Sequence, residues 1–268
     1  MKTLRALAWT AALSTTFAAA TARAGIIDLT TANASGTAGG AIFQQGEFQP
    51  TGSGVFNAFL RVEEVGPAPS LDGIEQGYNT DYRPVQFDEK TDAPHTHSIL
   101  LGDVPIVTIG GTQYRQFLLD LNEPQGGKQN PISMDMFEIF LGDAADLSDY
   151  PSFNGHAYKI YDMDLPADTS ILLDAATNKG GSGKGDMYAF VPNALFTGVN
   201  QYVYLHSLFG STPEYATQGG FEEWGIIKSD PVSIPTPGAA GAGLSTLAMI
   251  AGVSVLRRTR RRAVSLTA

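Results

Sequence analysis

The chain has 268 residues, with 17 Lys and Arg, 27 Asp and Glu and no cysteine, which excludes disulfides, thiolate zinc sites and cysteine nucleophiles and leaves the fold to rest on its own core. Charge is divided along the chain: Lys2, Arg5 and Arg23 precede Gly25 and five arginines follow Leu256, leaving nine basic against all 27 acidic residues between them, a net −18. A field of that sign repels nucleic acid and draws in cations, so no nucleic-acid partner is expected.

Residues 1–24 have the layout of a secretory signal peptide. Lys2 and Arg5 give a positive start, an apolar helical stretch runs from Ala6 to Ala20, and Ala22 and Ala24 are the small residues that signal peptidase reads. Cleavage is expected before Gly25. Thr10, Ser14, Thr15 and Thr16 interrupt the apolar stretch and make it a poor permanent anchor.

Residues 25–230 read as one extracellular domain, long enough to bury a core without covalent staples. Gly25 to Gly40 is small and polar and reads as a flexible start or an edge strand. Short runs rich in β-branched and aromatic residues follow, bounded by turn residues. The expected strands are 41–48, 55–62, 106–109, 113–121, 134–141, 157–161, 171–173, 187–191, 202–208 and 221–227. Gly110-Gly111 between Ile109 and Thr112 predicts a two-residue hairpin, because both turn positions need positive φ. Only Ala144–Leu147 and Asn193–Phe196 read as helical turns. No crossover helices and no repeat period are evident, so the fold class expected is all-β, an antiparallel sandwich of jelly-roll-like or Ig-like type.

Several patterns in this region invite chemistry. Gly180-Gly181-Ser182-Gly183-Lys184-Gly185 fails as a phosphate loop, since Asn178 replaces its first glycine and Gly185 its Ser/Thr; a turn is the expected role. Asp and Asn gather at loop positions: Asn79 with Asp81; Asp120, Asn122 and Glu123; Asp143, Asp146 and Asp149; Asp162 and Asp164. Calcium takes six to eight hard oxygens, and alternating acidic residues supply several of them, so calcium is the cofactor expected, with Asp120, Asn122 and Glu123 as ligands. The same residue types also serve turn geometry alone. His95-Thr96-His97 would set two imidazoles on one face of an extended segment, without an identified third ligand. Ser182 lacks the surroundings of a nucleophile elbow, and the adjacent Glu222 and Glu223 would face opposite sides of a strand. Glu138 with Glu222 is the remote pair left for a glycosidase. No catalytic residues are assigned, and the chain is expected not to be an enzyme.

Residues 231–237 form a linker ending in Pro235-Thr236-Pro237, and residues 238–256 are an uncharged Ala/Gly-rich run followed by Arg257, Arg258, Arg260, Arg261 and Arg262 in the last segment, 257–268. A helix over 238–256 would reach about 28 Å, close to a hydrocarbon core of about 30 Å. The arginines would hold the last segment in the cytoplasm and leave the body outside, the topology the signal peptide also demands. This tail resembles the PEP-CTERM sorting signal of bacterial surface and matrix proteins over Ile234 to Arg262, with Thr236 where that family usually has Glu. The same region is also described as an ice-binding-protein C-terminal region, but the body has no regular threonine array and ice binding is not inferred. The resemblance implies processing by an exosortase, a membrane protease that removes the tail at or near the proline motif. An ordinary C-terminal anchor fits the length and charge equally well.

The body is similar to extracellular modules that precede such tails, on Gly54-Val55-Phe56-Asn57, Gly77-Tyr78-Asn79-Thr80-Asp81, Phe117–Glu123 and Gly219–Trp224. That likeness implies a surface or matrix location and no catalytic residues. The function expected is a non-catalytic exported protein, tethered through its C-terminal helix and then passed to the cell surface or matrix, with exopolysaccharide as a partner. The alternative is a secreted carbohydrate-binding protein or glycoside hydrolase on a plain anchor.

Overall fold

A computed structural model describes residues 25–48, 56–64, 73–122, 131–177, 185–217 and 219–227. The signal residues before Gly25, Glu123, the 180–184 glycine run, the proline motif, the Ala/Gly run and the arginine cluster lie outside the described residues. The strands are β1 (Gly25–Asp28), β2 (Ser35–Ala38), β3 (Ala41–Phe48), β4 (Phe56–Val62), β5 (Glu75–Tyr78), β6 (Ile99–Leu100) and β7 (Ile106–Ile109), followed by β8 (Thr112–Leu121), β9 (Pro131–Gly142), β10 (Ala157–Asp162), β11 (Thr169–Asp174), β12 (Gly185–Pro192), β13 (Tyr202–Phe209) and β14 (Glu222–Ile227). Among the described residues no helix is long and apolar enough to cross a membrane.

The strands make two sheets packed face to face, an all-β sandwich. The first runs β1-β11-β9-β13-β5, the second β2-β3-β12-β8-β14-β4. β9 is long enough for β11 to pair with its first residues and β10 with its last, on the same edge. In the same way β8 takes β7 near its start and β14 near its end.

Alternation along the strands explains the core. Phe137, Ile139 and Leu141 of β9, Val203, Leu205 and Phe209 of β13, Leu119 and Leu121 of β8 and Trp224 and Ile226 of β14 are all buried in one cluster between the sheets. Phe137 is its centre. Its ring lies 5.0 Å from Trp224, 5.6 Å from Phe43, 5.8 Å from Tyr161 and 6.4 Å from Phe117. Polar bonds cross the same layer. The Trp224 indole N–H donates to Ser207 Oγ at 3.0 Å, which satisfies the polar end of a fully buried ring, and the Tyr161 hydroxyl of β10 donates to the Ala38 carbonyl of β2 at 2.7 Å.

The expected hairpin is present, with φ of 58° at Gly110 and 86° at Gly111 and Ile109 paired to Thr112. The segment Gly25 to Gly40 supplies two edge strands, one at the end of each sheet. β1 runs parallel to β11, the one departure from antiparallel pairing among the described strands. A parallel pair needs a long connection, and most of the body separates these two strands. Asn193–Leu195 forms the expected turn of 3-10 helix. Ala144–Leu147 does not. There the Tyr204 hydroxyl donates to the Ala144 carbonyl at 2.6 Å and accepts from the Leu147 N–H at 3.1 Å, so a side chain takes the bonds that a helical turn would have made.

Candidate functional site

With Phe137 and Ile139 pointing into the core, Glu138 of β9 must point out of the other face of its sheet. The register then sets four side chains in a row across β5, β13, β9 and β10: Tyr78, His206, Glu138 and Asp162. The segment after β9 folds back over this row. Its Tyr150 ring stacks on His206, with centroids 4.0 Å apart and planes 17° off parallel. Phe153 meets Tyr78 edge-on at 5.3 Å and Phe140 at 5.1 Å.

Glu138 is the hub of this arrangement. It is 3% exposed, accepts from the Tyr150 hydroxyl at 2.5 Å on Oε2, and accepts from Lys159 Nζ at 2.5 Å on Oε1. Lys159 also donates to Asp162 at 2.8 Å. Burial draws the Lys159 ammonium downward, but the Asp162 and Glu138 carboxylates outweigh that and hold it above its ordinary range. The phenol of Tyr150 is pushed up, first by burial and then by Glu138. His206 is 1% exposed. Its Nδ1 stands 3.8 Å from Glu138 Oε2, and burial, with Lys159 adding to it, draws its pKa down to about 3. The imidazole is therefore neutral at neutral pH. Chemically Glu138, Tyr150 and Lys159 form a hydrogen-bonded hub that secures residues 143–156 to the sheet, and the stacked His206 imidazole is shielded from water with neither ring nitrogen hydrogen-bonded.

A second hub fixes the loop after β13. Asp135 accepts from Thr212 Oγ1 at 2.5 Å, Ser133 Oγ at 2.6 Å and the Ser211 N–H at 2.8 Å. Burial raises this carboxyl, yet the hydrogen bonds from Ser133, Thr212, Ser170 and Ser211 outweigh it and hold the group below the ordinary aspartate range.

The residues expected to bind calcium are partly brought together. Leu119 and Leu121 point into the core, so Asp120 and Asn122 share the outer face of the second sheet. Asp120 is 1% exposed and lies opposite Glu223, which in turn lies opposite Arg61. The Arg61 guanidinium covers the Phe221 ring at 3.4 Å and stands 3.9 Å from Glu223. Burial, with Asp120 nearby, raises the Glu223 carboxyl, and Arg61 opposes this. Asp186 joins the neighbourhood by accepting from the Leu121 N–H at 2.8 Å. Among the described residues, no three of His, Asp and Glu converge in a way that could hold a metal ion.

Other acidic groups hold local turns and loops. Asp81 accepts from Ser98 N–H at 2.8 Å, Asp149 from Asn154 Nδ2 at 2.7 Å and Asp164 from Thr169 N–H at 2.9 Å. His95 is engaged by Asp92 at 2.6 Å, next to the exposed turn at Ala93-Pro94. Glu138 and Glu222 do not face each other. Glu138 is on the outer face of the first sheet, whereas Glu222, two residues before Trp224, lies between the sheets.

Compared with known proteins, the chain matches no family model, no curated protein and no solved structure.

The Glu138 hub was not visible in the sequence, because its members come from two strands, a loop and a third strand with no fixed spacing. One signal was there to use. Glu138 is a lone carboxylate in the apolar run Met136–Leu141, and a buried charge has to be paired.

Proposed function

We propose that the chain is a non-catalytic exported module, sorted to the cell surface or matrix by a C-terminal tail of PEP-CTERM type that an exosortase-like protease removes. The observation that carries this reading is the order of parts in the tail: Pro235-Thr236-Pro237, then the weakly apolar run 238–256, then Arg257, Arg258, Arg260, Arg261 and Arg262. An Ala/Gly-rich helix of that length inserts marginally, which suits a temporary tether better than a lasting one. The positions of the buried carboxylates support the non-catalytic part. Glu138 is tied to Tyr150 and Lys159, and it is on the opposite side of its sheet from Glu222. Strands distant in sequence alternate within each sheet, which favours a jelly-roll-like sandwich over the Ig-like one. A body of net charge −18 suits a hydrated, cation-rich exopolysaccharide matrix.

Fractionation of expressing cells with mass spectrometry of the mature protein tests the sorting reading. The expected result is an N-terminus at Gly25 and a C-terminus at or near the proline motif. Intact Arg262 on surface-located protein would leave a plain anchor instead.

Calcium belongs to the same proposal as a stiffener at Asp120, Asn122 and Glu123, supported by the shared face of the first two. Adding EDTA is expected to lower the thermal midpoint, and an unchanged midpoint removes calcium from the picture.

A further inference from the structure

Two carboxyl groups meet inside the sandwich, near the corner where β4 and β5 border the two sheets. Glu75 is on the inner face of β5. Its neighbour two residues on, Gly77, lies so close to Val62 of the opposite sheet that an added Cβ would come within 2.9 Å of it. Glu222 points inward from β14 beside Trp224. Both side chains are 0% exposed, and the two carboxyl groups are within hydrogen-bonding reach of each other.

Their cross-strand neighbours are apolar: Phe209 opposite Glu75, and Val62 and Leu121 on either side of Glu222. Thr217 from the loop after β13 and Glu64 from the segment after β4 also border Glu75. The further charged groups there are also acids: Glu64, and the buried Glu89, whose side chain lies closer still to the Gly77 position and whose carboxyl is likewise raised by burial. Among the described residues no basic side chain pairs with Glu75.

Two carboxylates in contact in so dry a place cannot both stay ionised without a cation or a proton between them. Direct reach between the carboxyl groups is the geometry of a shared proton. A calcium ion would take six to eight oxygens, each at about 2.3–2.6 Å, and no three acidic or histidine side chains converge here among the described residues.

We propose that Glu75 and Glu222 share one proton and form an alkali-labile latch between the two sheets. While the proton is held, a carboxyl–carboxylate hydrogen bond ties β5 to β14. When it is lost to water, two like charges face each other and the β4–β5 corner loosens. Burial holds the Glu75 carboxyl above its ordinary range, and the contact with Glu222 only partly offsets this. A carboxyl raised on folding stabilises the fold at low pH, and that contribution is lost as pH rises through the folded value.

The test is unfolding of the full chain from about pH 5 to about pH 9, with and without added calcium. Wild type should lose stability as pH rises. Glu75→Gln keeps a hydrogen-bond donor but cannot ionise, so it should make that loss clearly smaller, leaving the part due to the other raised carboxyls, Glu89, Glu223 and Asp164, and be the more stable protein at the alkaline end. Infrared spectra at neutral pH should show a buried protonated carboxyl band in wild type that is missing from Glu75→Gln/Glu222→Gln. If the glutamine variants fail to fold, the wild-type spectrum decides alone. The latch is overturned by a missing carboxyl band, by a wild-type stability that does not fall with rising pH, or by a calcium-dependent stabilisation that Glu75→Gln abolishes.

Discussion

Truncating Phe137 to alanine is expected to destabilise the domain by about 3–5 kcal/mol. The ring is fully buried and touches aromatic rings from β3, β8, β10 and β14. The second sheet and the neighbouring strand of the first both rest on it. A cavity there cannot be filled by a small shift of one neighbour, because four rings belonging to four different strands would have to move together. Domains of this kind have about 5–15 kcal/mol of stability in all, so the variant should unfold at a much lower urea concentration with a similar slope. Val199→Ala, at a side chain 91% exposed, should stay within about 0.5 kcal/mol of wild type. If Phe137→Ala matched that control, the ring would not be the centre of the core.

Asn79→Ala should be nearly as damaging, by a different route. β5 ends at Tyr78, and the Asn79 side chain continues its work as if it were another peptide group. Its Nδ2 donates to the Val203 carbonyl at 2.8 Å, and its Oδ1 accepts from the Leu205 N–H at 2.6 Å. Both partners belong to residues that are 0% exposed. Alanine leaves two buried backbone groups unsatisfied, at about 1–3 kcal/mol each, so a loss of about 2–5 kcal/mol is expected. Hydrogen exchange separates this from general weakening: the Leu205 amide should lose protection well beyond that of other β13 amides. Uniform loss along β13 would argue against the clamp.

What could be read in advance follows from where the physical signal lies. β3, β7, β8, β9 and β12 to β14 combine apolar alternation with β-branched or aromatic residues, and their extents were legible to within a few residues. β5 (Glu75-Gln76-Gly77-Tyr78) and the two-residue β6 carry almost no such pattern, and pairing with β13 alone makes them strands. β1 and β2 were only legible as an alternative to a flexible start. At the turns, the Asp and Asn residues act as their local chemistry dictates, which is why Asp81 and Asp164 hold backbone N–H groups and Asp149 holds the side chains of Ser148 and Asn154. The Glu138 hub and the Glu75–Glu222 pair were hidden because they exist only once the strands are in register. The proposed sorting tail is the opposite case, since such a signal would be wholly contained in its own residues.

The order of the strands also bears on when the body can fold. β1 is completed by β11, β3 by β12 and β4 by β14, so the earliest segments wait for partners near the far end of the domain. Such remote pairing makes closure slow. If the chain leaves the cell N-terminus first, no early portion can bury its apolar faces while the remainder is still being threaded across. Open strand edges would then be exposed during export, where they invite pairing between neighbouring chains. If the tail acts as the temporary tether proposed above, it would hold each molecule in place until its last strand, β14, has arrived and found β4 and β8. The tether would then act as a timer as well as an address, releasing the protein after its sheets have closed.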